Sequence, residues 1–268
     1  MRIQSTTQAQ HFTNQINETQ KKHDKAEKEL STGKKVNTAA DDAVAMQLSE
    51  EIMKEAKSLN AGSNNISYGI DAANIADGAL SGISDSLGDI EQNTVRAMNG
   101  LYSDSDRAIL QQANEASYAT INSTINQASY NGKNLLDGTS GDINIYTGTS
   151  STTITETDAK AAVSSLENFD VSGGADSIST DALDSAYSSV SSMRSQLGAE
   201  TNGLSAAYNV NNTTAENLEA AESLQTDSDT YDAVSRYKAS GVVGAAQNMT
   251  MKNDMENQEN LVNKMFNQ

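Results

Sequence analysis

"LSTGKKVNTAADDAVAMQLS", residues 30–49, joins two long stretches of helical periodicity through a short polar connection. Leu30 closes an apolar stripe, and Gly33 just beyond it can take the left-handed conformation that ends a helix. Asn37, Thr38 and Asp41 are each candidates to cap the helix that follows, with Asp41 and Asp42 near the positive end of its dipole. The stretch reads as helix, joint, helix, and the helices on either side of it set the architecture.

Upstream, residues 3–32 carry a heptad seam: Ser5/Ala9, Phe12/Ile16, Thr19/His23 and Ala26/Leu30. Several of these are small or polar, so the helix buries too little surface to offset its ordering entropy alone. It must pack against another element or another copy of itself, and the ends of an isolated subunit are expected to be disordered. Downstream, residues 41–98 read as one helix through Met46, Ile52, Met53, Leu59, Ile66, Ile70, Ala73, Leu80, Ile83, Leu87 and Ile90. At ~1.5 Å per residue it would be roughly 80 Å long. "NGLYSDSD", 99–106, is a turn with capping residues, and a third helix from Asp106 to about Gln127 presents Ile109, Ala113, Ala116, Thr120 and Ile125 on one side.

The character changes at "YNGKNLLDGTSGD", 130–142. "INIYTGTSSTTITE", 143–156, alternates and is β-branched, which predicts a hairpin with Gly148 near its turn. A short helix is expected at 158–167, followed by a Gly/Ser/Asp-rich connection. Helical periodicity returns at Asp181 and runs through Leu183, Val190, Leu197, Leu204, Leu218, Leu224, Val234, Val242, Ala245, Met249, Met255, Val262 and Met265, with a joint at "QTDSDT", 225–230. The fold class is therefore mainly α: a long antiparallel bundle or coiled coil of the N- and C-terminal regions, with a small central β-hairpin.

Composition narrows function. With no proline, long helices can run unbroken. Only 4% of residues are aromatic, where a compact enzyme core draws on aromatic area. A net charge of −18 disfavours nucleic acid and anionic membranes, because both are held by neutralising negative charge. Without cysteine there is no disulfide framework and no thiolate metal site. No apolar run is long enough to span a bilayer, and residues 1–20 lack the apolar stretch of a secretory signal peptide. His11 and His23 sit about 120° apart on a helix and cannot share a metal face well. Asp104/Asp106 and Asp227/Asp229 read as caps rather than calcium ligands, lacking the rest of an EF-hand loop. No nucleophile elbow or phosphate loop occurs. The expectation is a non-enzyme with no catalytic residues, no metal and no cofactor. Met249, Met251, Met255 and Met265 crowd the last helix, either as ordinary gap-filling core or as an adaptable contact surface for a chaperone or neighbouring subunits.

The opening stretch also resembles the bacterial flagellin signature, through Leu30, Ser31, Gly33, Lys35, Val36, Asn37, Ala39, Asp41, Asp42, Ala43 and Ser49. Lys35 stands where arginine is usual, and Ala45 where glycine is usual. "LNAGSNNISYGIDAANIADGAL", 59–80, continues it through Leu59, Ser63, Asn65, Gly69, Ile70, Ala76, Gly78, Ala79 and Leu80. Residues 99–111 and 130–138 are similar to the end of that family's N-terminal region, and 182–204 and 215–229 to its C-terminal region.

The resemblance implies a structural subunit that self-assembles into an extracellular bacterial filament for motility, exported without a cleaved signal peptide. A hook–filament junction adaptor is the alternative within the same superfamily. Residues 1–40 and 228–268 would be inner-tube helices, and 41–227 an outer rod with a β-rich tip at about 137–180 and no large outer domains. The joint, with Gly33, Lys35, Asn37, Thr38, Asp41 and Asp42, would be the spoke between the layers. Phe12, Ile16, Leu30, Val242, Met249, Met255, Val262 and Met265 would pack between subunits. Implied partners are further copies of the chain, an export chaperone at the C-terminal helix, the flagellar export apparatus, and junction and cap proteins. The last forty residues, 229–268, match weakly and end in polar Asn267–Gln268 where leucines are usual, so the inner contacts would be more polar. The positions that the animal Toll-like receptor for flagellin senses as arginine, leucine and glutamate hold Asp89, Asn93 and Ala113 here. Aspartate for arginine reverses a charge and removes bidentate pairing, so receptor activation should be lost.

Overall fold

The computed structural model describes residues 2–266, with side-chain surroundings for 9–264. Ser5, Met265 and the polar end therefore lie outside the described side chains. The elements run α1 (Arg2–Thr32), α2 (Ala43–Ala97), α3 (Asp104–Gln127), β1 (Ser129–Tyr130), β2 (Lys133–Asn134), β3 (Ile143–Tyr146), β4 (Ser151–Ile154), α4 (Ala159–Val163), α5 (Asp181–Thr226) and α6 (Thr230–Phe266). The chain forms two compact units, Met1–Lys54 with Asn217–Gln268, and Glu55–Glu216. The expected division at 40/41 and 227/228 follows the helix ends, whereas contacts group the first turns of α2 and the last of α5 with the terminal helices.

In the central unit, α2 presents Ile66, Ala73, Leu80 and Leu87 alternating with Ala76, Ile83 and Ile90, a three-four spacing that keeps one face inward. These meet Ile121 and Ile125 of α3 and Leu183, Ala186, Val190, Leu197 and Leu204 of α5 in one continuous core. α5 runs antiparallel to α2: Ser58 and Asn211 both bond the turn at 147–148, while Asp77 pairs with Arg194 at 2.9 Å. Helix α3 starts in a capping box, with Ser103 Oγ accepting from Asp106 N–H and the Asp106 carboxylate accepting from Ser103 N–H.

The buried face of α3 is not the one expected. Ile109 is 64% exposed, and Ala113, Ala116 and Thr120 are exposed too, while Arg107, Asn114, Ile121 and Ile125 turn inward. The reason is the segment at 169–171: Gln111 donates to Phe169 O and accepts from Val171 N–H, which seats that segment on the polar side of α3.

The expected hairpin is β3–β4, with Ile143 opposite Ile154 and Tyr146 opposite Ser151. Ile145 and Ile154 point into the core. The hairpin lies directly on α2 because Gly62 and Gly69, one heptad apart, leave room for it. A Cβ at Gly62 would collide with the Thr147 carbonyl, and one at Gly69 with Ile145 Cδ1. A second hairpin, β1–β2, was not anticipated. Asn131 and Gly132 form its turn at φ +49° and +77°, both left-handed. Asn-Gly between two paired residues is the favoured two-residue turn, so "YNGK" was a hairpin signal hidden in what reads as a loop.

The terminal unit is an antiparallel hairpin of α1 and α6 together with the adjoining ends of α2 and α5. Phe12, Ile16, Thr19, His23, Ala26 and Leu30 are the half-buried or buried stripe of α1, as its heptad predicts. Their partners on α6 are small or polar: Ala233, Tyr237, Ser240, Gly241, Gly244, Gln247 and Met251. Here the expectation from apolar periodicity fails. Val242 is 70% exposed, Met249 71%, Met255 62% and Val262 49%, so these apolar residues of α6 are left largely uncovered, while Val234 and Met251 are half-buried.

Candidate joint and assembly surface

At the joint, α1 ends at Thr32 and Gly33 turns left-handed at φ +72°, its N–H donating to Glu29 O at 2.9 Å. No atom crowds the space a Cβ would fill, so the need for glycine there is conformational alone. The next residues run antiparallel to the second connection, 227–229. Lys35 N–H donates to Thr226 O at 2.7 Å and Ser228 N–H to Gly33 O at 2.8 Å, so that the backbones at Lys34 and Asp227 pair antiparallel. The joint is therefore two strands of chain knitted side by side.

Its centre is Glu222, which the sequence reading missed. One carboxylate oxygen, Oε1, accepts from Lys34 Nζ at 2.8 Å, Ser49 Oγ at 2.9 Å and Thr226 Oγ1 at 2.9 Å. The bond from Lys34 above all, with those from Thr226 and Ser49, holds its pKa below the ordinary value against the opposing effect of burial. One group thus fastens α5, the joint and the start of α2. Lys34, not Lys35, is the lysine engaged there; Lys35 Nζ donates to Leu224 O from an exposed position. A second pair ties α1 to α6: Arg236 Nη2 lies 2.7 Å from the buried Glu29 Oε2. The bond to Glu29 raises the Arg236 pKa.

The capping roles are divided. Asp42, rather than Asn37, Thr38 or Asp41, caps α2, its Oδ1 accepting from Val44 N–H at 3.0 Å and Ala45 N–H at 2.9 Å. Asp41 folds back, accepting from Thr38 N–H and Oγ1 and from Asn37 N–H, with Lys25 Nζ 3.4 Å away. The Thr38 hydroxyl is the chief cause of its lowered pKa. Asn37 Nδ2 donates to Lys34 O. α2 starts two residues later than expected because Asp41 is held back by its bonds to Asn37 and Thr38, leaving Asp42 to cap the helix. Asp229 caps α6 in the same way, through Tyr231 and Asp232 N–H. Caps and turn acceptors are visible in sequence; Glu29 and Glu222 are not, because their partners are far away in the chain.

Phe12, Ile16 and Leu30 lie on the seam within the chain, whereas Val242, Met249, Met255 and Val262 are uncovered. The seam also keeps buried polar atoms without partners, His23 Nδ1 and Gln247 Oε1. Such atoms cost stability where water cannot reach them. His23 packs on Tyr237 with ring centroids 4.4 Å apart. Among the described residues, His23, Asp24 and Glu27 form the one group that brings three potential metal-ligand atoms within 4.8 Å of one another. That arrangement comes from adjacent positions and one helical turn, a spacing distinct from that of paired histidines. Asp89 and Ala113 are exposed and Asn93 half-buried, all in the central unit.

The pattern of the bacterial flagellin N-terminal helical region matches residues 3–141, and that of the C-terminal helical region matches 180–263. The chain belongs to the flagellin family. It is 30% identical over 226 residues to a flagellar filament 30.7 kDa core protein of Treponema maltophilum, covering 75% of this chain and 77% of that one. It is 27% identical over 300 residues to flagellin of Bacillus subtilis, covering 98% and 99%. Among solved structures, Bacillus cereus flagellin superposes with a TM-score of 0.50 at 21% identity, over 55% of this chain and 88% of that one. That likeness concerns the fold alone. Every flagellin-signature residue of 30–49 falls within the terminal unit. Among the described residues no helix is long and apolar enough to cross a membrane.

Proposed function

We propose that the chain is a structural subunit that polymerises with further copies of itself into an extracellular bacterial flagellar filament, which drives motility. The observation that carries this reading, beyond family membership, is the apolar set on α6 that the chain itself does not cover: Val242, Met249, Met255 and Val262, with Leu261 61% exposed beside them. Apolar side chains that their own chain leaves uncovered gain by being buried, and identical copies in a non-closing arrangement build an open polymer. In this reading the terminal helices, 1–40 and 228–268, line the inner tube. Residues 41–227 form the outer rod with its tip at 137–180, and the joint of Gly33, Lys35, Asn37, Thr38, Asp41 and Asp42 is the spoke. Phe12, Ile16 and Leu30 join the inter-subunit packing where the seam leaves them half open.

The role is structural rather than catalytic. Export without a cleaved signal peptide, a chaperone on α6, the export apparatus, and junction and cap proteins complete the proposal. Asp89, Asn93 and Ala113 make the chain silent toward the animal flagellin receptor. Negative-stain electron microscopy of the purified chain with short filament seeds tests the main claim. Long uniform tubes are expected; a species that only caps the seeds would make it a junction adaptor instead.

A further inference from the structure

We propose that His23, Asp24 and Glu27 of α1 form a site for a divalent transition-metal ion of the zinc class, and that the ion orders α1 as it binds; the consequence for assembly rests on the filament reading. His23 cannot share an ion well with His11, but it shares a helical turn with two carboxylates. Glu27 lies four residues on, the spacing that stacks side chains on one face of a helix, and Asp24 is adjacent. One ligand atom from each residue lies within 4.8 Å of the other two, so modest side-chain rotations bring them to the roughly 2.0–2.2 Å from one ion that zinc requires. The imidazole is uncommitted, its Nδ1 having no hydrogen-bond partner. Asp24 and Glu27 are exposed, and Asp24 accepts from Gln20 Nε2 through Oδ1 at 2.8 Å, which leaves Oδ2 for an ion. Lys21, Lys22, Lys25 and Lys28 flank the site along the helix, so charge alone does not draw a cation there. A metal that bonds imidazole nitrogen is favoured over calcium or magnesium, which take oxygen and need more of it.

All three ligands come from α1, so the site needs helical backbone at 23–27 and nothing from α6. The heptad of α1 is too polar to order that helix alone, and in a free subunit the ligands are not preassembled. An ion that bridges residues one turn apart closes that turn and supplies the nucleus that helix formation lacks. The same ion then favours every state in which α1 is helical, by the factor with which it prefers the helix to the disordered segment. In the filament reading the polymer is such a state, and the metal lowers the subunit concentration at which it grows.

The test titrates the full, chelator-stripped chain with zinc chloride, following heat of binding and far-ultraviolet circular dichroism of the free subunit, then the critical concentration for growth on seeds. Zinc should bind and raise the helix signal, and calcium at the same concentration should leave it unchanged. At free zinc ten times the Kd for the filament, the critical concentration should fall about tenfold. Asp24→Asn with Glu27→Gln, both exposed and away from the seam, should abolish the response, as should His23→Ala, while His11→Ala keeps it. Zinc binding by the D24N/E27Q chain as tight as by the wild type, or binding without a gain in helix, overturns the proposal. If His23→Ala does not assemble, the D24N/E27Q chain decides. Failure of the wild type to grow with or without zinc overturns the filament reading instead, and the binding and helix measurements still decide the site.

Discussion

The central unit and the terminal unit are both built on long helices, yet they spend their apolar residues in opposite ways. In the central unit the isoleucines and leucines of α2 and α5 lie inside, and Leu80, Ile83 and Leu87 have no exposed surface. In the terminal unit the seam between α1 and α6 mixes a few apolar residues such as Phe12, Ile16, Leu30 and Met251 with alanine, glycine, serine, threonine and glutamine, and Val242, Val262, Met249 and Met255 of α6 stay largely outside. The first arrangement is complete within one chain. The second withholds its hydrophobic gain until something else supplies the other side. A unit whose core is complete and one that leaves apolar residues uncovered can thus be told apart by where those residues point.

The sharpest way to break that contrast is at Leu80. Leu80→Ala should destabilise the central unit by about 2–5 kcal/mol, as core truncations do, in urea unfolding followed by circular dichroism. Val242→Ala should change the unfolding of the free subunit by less than about 0.5 kcal/mol, because the side chain is already in water. Comparable losses from the two would erase the distinction.

Next in size is Gly62→Ala. Its Cβ meets backbone at Thr147 rather than a side-chain tip, so the hairpin must lift, at a cost of about 1–3 kcal/mol. Hydrogen exchange at β3 and β4 should accelerate while the terminal helices are unaffected.

Gly33→Ala should cost about 1–2 kcal/mol, because a left-handed conformation is imposed on a residue with a Cβ. The loss should appear as faster proteolysis of the terminal unit alone. Uniform cutting of the ends and the middle in the wild-type subunit would count against the weak seam itself.

The smallest effect is a pH dependence. The pKa of Glu222 is lowered from its ordinary 4.5 in the folded state, so its bonds to Lys34, Thr226 and Ser49 stabilise fully above that value. As the pH falls below it, the unfolded chain takes up the proton first and stability declines through the folded pKa. Asp41, lowered from 3.8 mainly by Thr38, adds to the same acid-side slope. Melting temperatures of the wild type and Glu222→Gln between pH 6 and pH 3 should converge toward the acid end. Parallel curves would show that Glu222 is not the fastening group.

Much of this was legible in the chain itself. The α1 stripe, the inward face of α2, both joints and the central hairpin follow from periodicity and turn chemistry, because each is a local property. The α6 seam was not, since periodicity locates apolar residues without saying which neighbour they meet. The cap of α2 moved from the named candidates to Asp42 because Asp41 found better partners in the turn behind it. The joint's main fastening group was hidden for a different reason: Glu222 and Lys34 are 188 residues apart, and an isolated glutamate in a helix looks like any solvated one. Asn131-Gly132 carried a readable hairpin signal, overlooked because its strands are only two residues each.

The doubled connection at the joint has a mechanical meaning. A single tether between two helical elements acts as a swivel, since rotation about its backbone dihedrals meets little resistance. Here the tether from Gly33 to Val36 is laced to the return tether at 226–228 by hydrogen bonds at both edges. Two struts anchored side by side can flex together like a leaf spring, but turning one about its own axis drags the other and strains the rungs between them. The rungs at Lys35 and Ser228 thus hold the joint against twisting more firmly than against bending.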